Sequence, residues 1–243
     1  MSMTIYLIAM APLAVGGRRV PDVGLLILAG AGLAIGIGVY LGWRYEKKRT
    51  ERFEAMARTL GLAFIPRDDG SLLDRLRPFH LFSQGRSQAI RNLLRGDKND
   101  VEMAVLDYQY TTGSGKHSHT HRLSVLRFRS PTLNLPRFTL RPEGIFHKIG
   151  SALGYQDVDF EFHPEFSSSY LLRGEDESQI RKLFNETRLR FFEDKAADKI
   201  CVEAAGDQLI YYRQNRRVDP DDVHDFIERG LRVLKVFQGR VDA

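Results

Sequence analysis

Twenty consecutive residues from Val23 to Gly42, VGLLILAGAGLAIGIGVYLG, carry no charge and almost no polarity. At about 1.5 Å per residue, a helix of this length matches a hydrocarbon layer of about 30 Å. Inside lipid the backbone must satisfy its own hydrogen bonds, so the segment is expected to be helical despite its glycines. Tyr40, Trp43 and Tyr45 cluster at its far end, where amphipathic rings favour the headgroup layer. A buried globular helix would show a polar face or polar interruptions, and this stretch has neither. One membrane-spanning helix, with membrane lipid around it, is the first expectation.

Charge placement orients that helix. Residues 43–58 hold six basic side chains against Glu46, Glu51 and Glu54, while only Arg18, Arg19 and Asp22 precede the apolar run. The positive-inside bias then puts the C-terminal part in the cytoplasm, as a single-pass protein of the inner membrane. From Thr59 onward 28 Lys and Arg face 27 Asp and Glu, so the net charge of +5 sits mostly beside the membrane segment. A nucleic-acid partner would require a basic stripe on the folded part, and none is visible.

The sequence divides into an N-terminal tail (1–22), the transmembrane helix (23–42), a basic juxtamembrane helix (43–60) and a soluble domain (61–243). Within the tail, Thr4 to Gly17 is apolar but too short to span, and reads as an interfacial or poorly ordered segment. Small residues recur at Gly30, Ala34, Gly38 and Gly42, a face that allows close approach of a second helix. Self-association or pairing with another membrane protein is one expectation from that face. The other is that glycine is simply common in membrane helices.

The remaining chain alternates strand-like and helical stretches. Trp43 to Leu60 continues as a helix, stopped by Gly61, with a charged face read as solvated or lying along headgroups. Short strands are expected at 61–66, 90–95, 137–141, 158–162 and 170–173, and a long hairpin from Val101–Thr112 and Thr120–Arg129 around GSGKHSH. Lys199–Ala204 and Gln208–Arg213 form a second hairpin around Gly206-Asp207. Helices are expected at 71–77, 146–153, 175–185, 187–195 (the last two continuous or nearly so) and 219–237, the last opened by Asp219-Pro220-Asp221-Asp222. The pattern predicts an α+β fold, mostly antiparallel sheet with flanking helices. It does not say whether the two halves share one sheet.

The stretches YTTGSGK, LPRFTLRPEG, KIGSALGYQDVDF and FSSSYLLRGEDE resemble a family of bacterial single-pass membrane proteins with a cytoplasmic α+β domain. The resemblance spans roughly residues 45–237. It implies the architecture and carries no activity with it.

The strongest chemical pattern is His117, His119 and His121 in KHSHTH. On a strand, residues two apart share a face, so three imidazoles could approach one ion, and zinc is the metal such a row suits. Asp157, Asp159 and Glu161 alternate with apolar residues and would complete a mixed site if their strand were adjacent. The competing reading is a half-solvated strand beside a glycine-rich tip. Gly113-Ser114-Gly115-Lys116 fails as a phosphate loop, because Tyr110 stands where its first glycine belongs and His117 follows the lysine. Cys201, the single cysteine, reads as a small core residue, and the arginines and acids of LLRGEDE and RLRFFEDK as solvated helix faces. No nucleophile elbow, metalloprotease helix or dinucleotide fingerprint occurs, so no catalytic or cofactor-binding residue is assigned. Two functions follow: a membrane-anchored, non-enzymatic interaction or assembly module, or a membrane-anchored metal enzyme or sensor built on the histidine row.

Overall fold

The computed structural model describes residues 23–144 and 157–239. The chain divides into two compact units, Met1–Glu46 and Lys47–Ala243. In the first, the described residues belong to helix α1 (Val23–Leu60), and Leu28, Leu33, Ile35 and Val39 expose their side chains. Among the described residues this is one helix long and apolar enough to cross a membrane. No Cβ added at Gly30, Gly38 or Gly42 would meet another atom, and Ala34 on the same row is exposed.

The second unit is α+β and is built on one eight-stranded antiparallel sheet, ordered β1-β2-β3-β4-β8-β7-β5-β6. The strands are β1 (Ala63–Arg67), β2 (Arg86–Lys98), β3 (Val101–Thr112), β4 (His119–Arg129), β5 (Leu135–Pro142), β6 (Tyr170–Gly174), β7 (Cys201–Gly206) and β8 (Gln208–Tyr212). Among the described residues six further α-helices pack on it: α2 (Ser71–Leu76), α3 (His80–Ser83), α4 (Pro164–Ser169), α5 (Glu177–Leu183), α6 (Glu186–Asp194) and α7 (Val223–Phe237). Both halves of the sequence therefore share a single sheet.

Local chemistry sets the boundaries. Gly61, at φ 67°, ends α1 with the paired bonds Gly61 N to Arg58 O and Leu62 N to Ala57 O, the arrangement a left-handed residue permits after a helix. Asn99 and Asp100 both take positive φ between β2 and β3, a two-residue turn whose twist matches that of the strands. Asn185 separates α5 from α6 by accepting a bond from Arg188 N at 3.2 Å, so the two helices are not continuous. The expected strand at 158–162 is absent. Asp157 makes one isolated bridge to Arg173, His163 N closes a turn onto Phe160 O, and Pro164 then opens α4. A proline suits the first helical turn and cannot extend a ladder. The helix expected at 146–153 lies outside the described residues.

Because side chains alternate along a strand, the sheet has two buried faces. Val105, Leu126, Phe128, Leu172 and Tyr211 lie on one, covered by Phe53 and Ala57 of α1 and by α4, α5, α6 and α7. Leu106, Tyr108, Val125, Cys201 and Tyr212 lie on the other, covered by α2 and α3. Among the described residues, none from β5 or β6 joins that second cluster. Among the described residues the second cover ends before the β5–β6 side of the sheet, which places the site described next.

Candidate functional site

On β5, Phe138 and Leu140 point into the larger core, so Arg137, Thr139 and Arg141 must point to the opposite face. Thr139 is paired with Arg173 on β6 and with Glu203 on β7, giving the cross-strand row Arg173–Thr139–Glu203. Arg77, Pro78, Phe79 and His80 close one side of this row. Together they bound a cavity of about 240 Å³ on the β7-β5-β6 part of the sheet.

A buried ion pair adjoins it: Glu203 lines the cavity, and Arg141, outside the lining, binds Glu203. Arg141 is 2% exposed and Glu203 is 1% exposed. Arg141 Nη2 donates to Glu203 Oε1 at 2.8 Å, Tyr212 Oη donates to the same oxygen at 2.8 Å, and Leu81 N donates to Oε2 at 3.2 Å. Both carboxylate oxygens are thus engaged. Burial acts against the Arg141 charge, but neighbouring Tyr212 and Glu203 outweigh it and hold the guanidinium pKa above its ordinary value. A buried ion pair is often no more stabilising than an apolar replacement of the same volume.

Among the described residues, His80 Nε2 on the cavity wall and Arg141 Nε in the adjoining ion pair are buried without a hydrogen-bond partner. Burial pushes the His80 imidazole below its ordinary pKa, with Arg141 adding to the shift and Glu203 opposing it. His80 is therefore mainly neutral at pH 7, with a ring nitrogen facing no partner among the described residues. At the mouth, Arg77 Nε donates to Asp74 Oδ1 at 2.9 Å and Arg137 Nη1 to Glu175 Oε1 at 3.0 Å. Both of these pairs are exposed.

None of this was assigned from the sequence. Arg173 closes the strand expected at 170–173 and lies on β6, but its charge, read with LLRGEDE as solvated, is half-buried in the row beside Thr139. Glu203 carried the one usable signal, a lone carboxylate in the apolar strand CVEAAG. Cys201 is fully buried, in keeping with its reading as core.

The histidine row falls elsewhere. His117 ends a short 3-10 turn, Gly115–His117, while His119 and His121 lie on β4 with ring centroids 4.6 Å apart. His121 Nε2 is 2.9 Å from Thr112 Oγ1, and its Nδ1 is 2.7 Å from Asn215 Oδ1. Asp157 bridges β6, an edge strand, whereas β4 pairs with β3 and β8, so the acidic residues are not beside the histidines. Among the described residues, no group of three or more His, Cys, Asp or Glu side chains is gathered as a metal site would need.

The architecture is that of an antiparallel α+β domain following an apolar N-terminal helix. No family model matches the chain, and a comparison with curated proteins finds no match. Among solved structures, the chain is similar to the crystal structure of the mycobacterial trehalose monomycolate transport factor A, TtfA, with a TM-score of 0.55 at 11% identity. The match covers 79% of this chain and 93% of that one. At this identity the likeness is one of fold.

Proposed function

We propose that the protein is a membrane-anchored, non-enzymatic accessory module. Its α1 segment crosses the bilayer once, and the antiparallel domain stands on the cytoplasmic side to bind a component of a membrane assembly. The observation that carries this reading is the apolar stretch of α1, whose large side chains are left exposed to solvent by the rest of the described chain. The basic residues that follow it support the orientation, and the small-residue row at Gly30, Ala34, Gly38 and Gly42 offers a face for a partner helix or a second copy. Fold likeness to a transport factor supports an accessory role in membrane transport.

The test is crosslinking in intact membranes followed by affinity purification of the full chain. A stoichiometric membrane-protein partner supports the proposal. Release of the protein from membranes by alkaline wash, or recovery of the protein alone, overturns it. A C-terminal reporter active only outside the cytoplasm should stay silent.

A second reading keeps the histidines. The close approach of His119 and His121 favours it, but zinc would have to displace Thr112 or Asn215 from His121. Bound zinc that disappears on His119→Ala would favour this reading over the first.

A further inference from the structure

We propose that the cavity between the Arg77–His80 segment and the β6-β5-β7 row is a binding site for a phosphate-type oxyanion, either free or as a phosphomonoester. This is independent of the accessory-module reading and would stand if no partner protein were found.

The hydrogen-bond inventory of the walls decides the ligand class. Arg77 after α2, Arg137 on β5 and Arg173 on β6 bring up to five N–H donors each. Thr139 adds a hydroxyl in the middle of the row. The one carboxylate among the lining residues, Glu203, has both oxygens occupied by Arg141, Tyr212 and Leu81 N. Donors are in surplus and the carboxylate acceptor is saturated, so the complementary guest is an acceptor. A cation would find the only lining carboxylate already neutralised by Arg141.

Guanidinium groups arriving from several directions suit a tetrahedral oxyanion, which can receive a fork from each. The competing contacts of Arg77 and Arg137 are weak. Asp74 and Glu175 hold Arg77 and Arg137 through exposed pairs worth about 0–1 kcal/mol, which a doubly charged guest can displace. The unpartnered His80 Nε2 offers one further hydrogen bond from a neutral ring. A volume of about 240 Å³ admits a phosphate with a short organic stub and little more. The body of a larger ligand, such as the glycerol and chains of a lipid, would remain outside the mouth.

The experiment is calorimetric titration of the full chain in detergent micelles with glycerol 3-phosphate and, separately, dihexanoyl phosphatidic acid, with glycerol as the control. Saturable binding of either phosphate compound and none of glycerol is expected. Binding of the soluble compound identifies a free phosphomonoester, and binding of the lipid alone identifies a headgroup. Arg137→Gln and Arg173→Gln should each weaken binding about tenfold or more, as loss of a charged hydrogen bond does, and Arg137→Lys should recover part of the loss. Arg137 is exposed, so its variant is expected to keep the wild-type near-UV circular dichroism. Failure of both phosphate compounds to bind overturns the proposal. So does binding that Arg137→Gln and Arg173→Gln leave unchanged.

Discussion

Arg49 of α1 meets Asp107 of β3 through two parallel hydrogen bonds, Nε to Oδ2 and Nη2 to Oδ1, both 2.8 Å. Asn92 Nδ2 and Ser124 Oγ donate to the same carboxylate at 2.9 Å and 2.7 Å. Arg49 Nη2 also reaches Val218 O, whose own N–H bonds Ser124 Oγ. One buried carboxylate thus ties α1 to β2, β3, β4 and the segment before α7. Asn92 takes a positive φ of 49° at an irregularity in β2, and its Oδ1 accepts a bond from Thr50 Oγ1 at 2.9 Å. Asparagine tolerates that backbone, and here its side chain is used as well.

Removing one partner of this pair should cost far more than removing both. Asp107→Ala leaves a guanidinium buried without its carboxylate, a loss of about 3–5 kcal/mol in urea unfolding of the domain. Arg49→Met with Asp107→Leu should recover part of that loss because no charge is stranded, although Asn92, Ser124 and Val218 still lose a partner. A double variant as unstable as the sum of the two single ones would show that the pair is not coupled.

The same contact decides where the domain begins. Phe53 is 0% exposed and Ala57 is 1% exposed, and both sit in the main core beside Leu94 and Val105. A chain starting at Thr59 loses Arg49, Phe53 and Ala57 together. Loss of the phenylalanine alone costs about 3–5 kcal/mol, against a total stability of about 5–15 kcal/mol for a domain. Such a chain should aggregate or unfold without cooperativity, whereas one starting at Lys47 should give a sharp transition. Equal midpoints for the two would mean that this part of α1 is dispensable.

The limits of the sequence lie where pairing is non-local. The β3–β4 and β7–β8 hairpins and the C-terminal helix were legible because their signals are local: alternation, a glycine turn, a capped start. The Arg49 contact was not. Its partner lies 58 residues away, and in RYEKKRTERFE it is one cation among several on a face that reads as solvated. The cavity escaped for the same reason, since Arg173, Thr139 and Glu203 become neighbours only through the order β7-β5-β6. The histidine row was the reverse case. Its spacing was conspicuous, but His117 leaves the strand, and Asp157, the first of the acidic residues meant to complete it, bridges a distant edge.

Cys201 should be inert in the folded protein. It is fully buried on β7, and burial pushes its thiol up to about 12. At pH 8 the thiolate fraction is then on the order of 10⁻⁴, and the sulfur is also inaccessible. Iodoacetamide should label the native protein orders of magnitude more slowly than the urea-unfolded chain. Fast labelling with near-UV circular dichroism retained would contradict the burial of β7.

His80 should make the domain less stable in mild acid. Its folded-state pKa lies below the ordinary value of 6.5, chiefly through burial and secondly through Arg141, with Glu203 opposing. The unfolded chain then binds a proton more readily than the folded one, so stability is complete above about pH 6.5. It declines as pH falls below that value and levels off once the folded-state pKa has been passed. Asp157 acts with the opposite sign and in a lower window: burial, with Asp159 adding, raises its carboxyl above 3.8, so protonation there favours the folded state. The two contributions separate in a comparison of wild type with His80→Gln across pH 5–7. The difference in urea midpoint between the two proteins should change steadily over that interval, and a constant difference would show that His80 does not titrate there. Bound phosphate compound should alter the interval as well, because a neutral His80 donating from Nε2 and a charged one differ in their attraction for the guest. Repeating the comparison with saturating glycerol 3-phosphate therefore links the pH profile to the cavity: an oxyanion in contact with His80 raises its folded-state pKa toward 6.5 and shrinks the pH-dependent difference, and an unchanged difference removes His80 from the site.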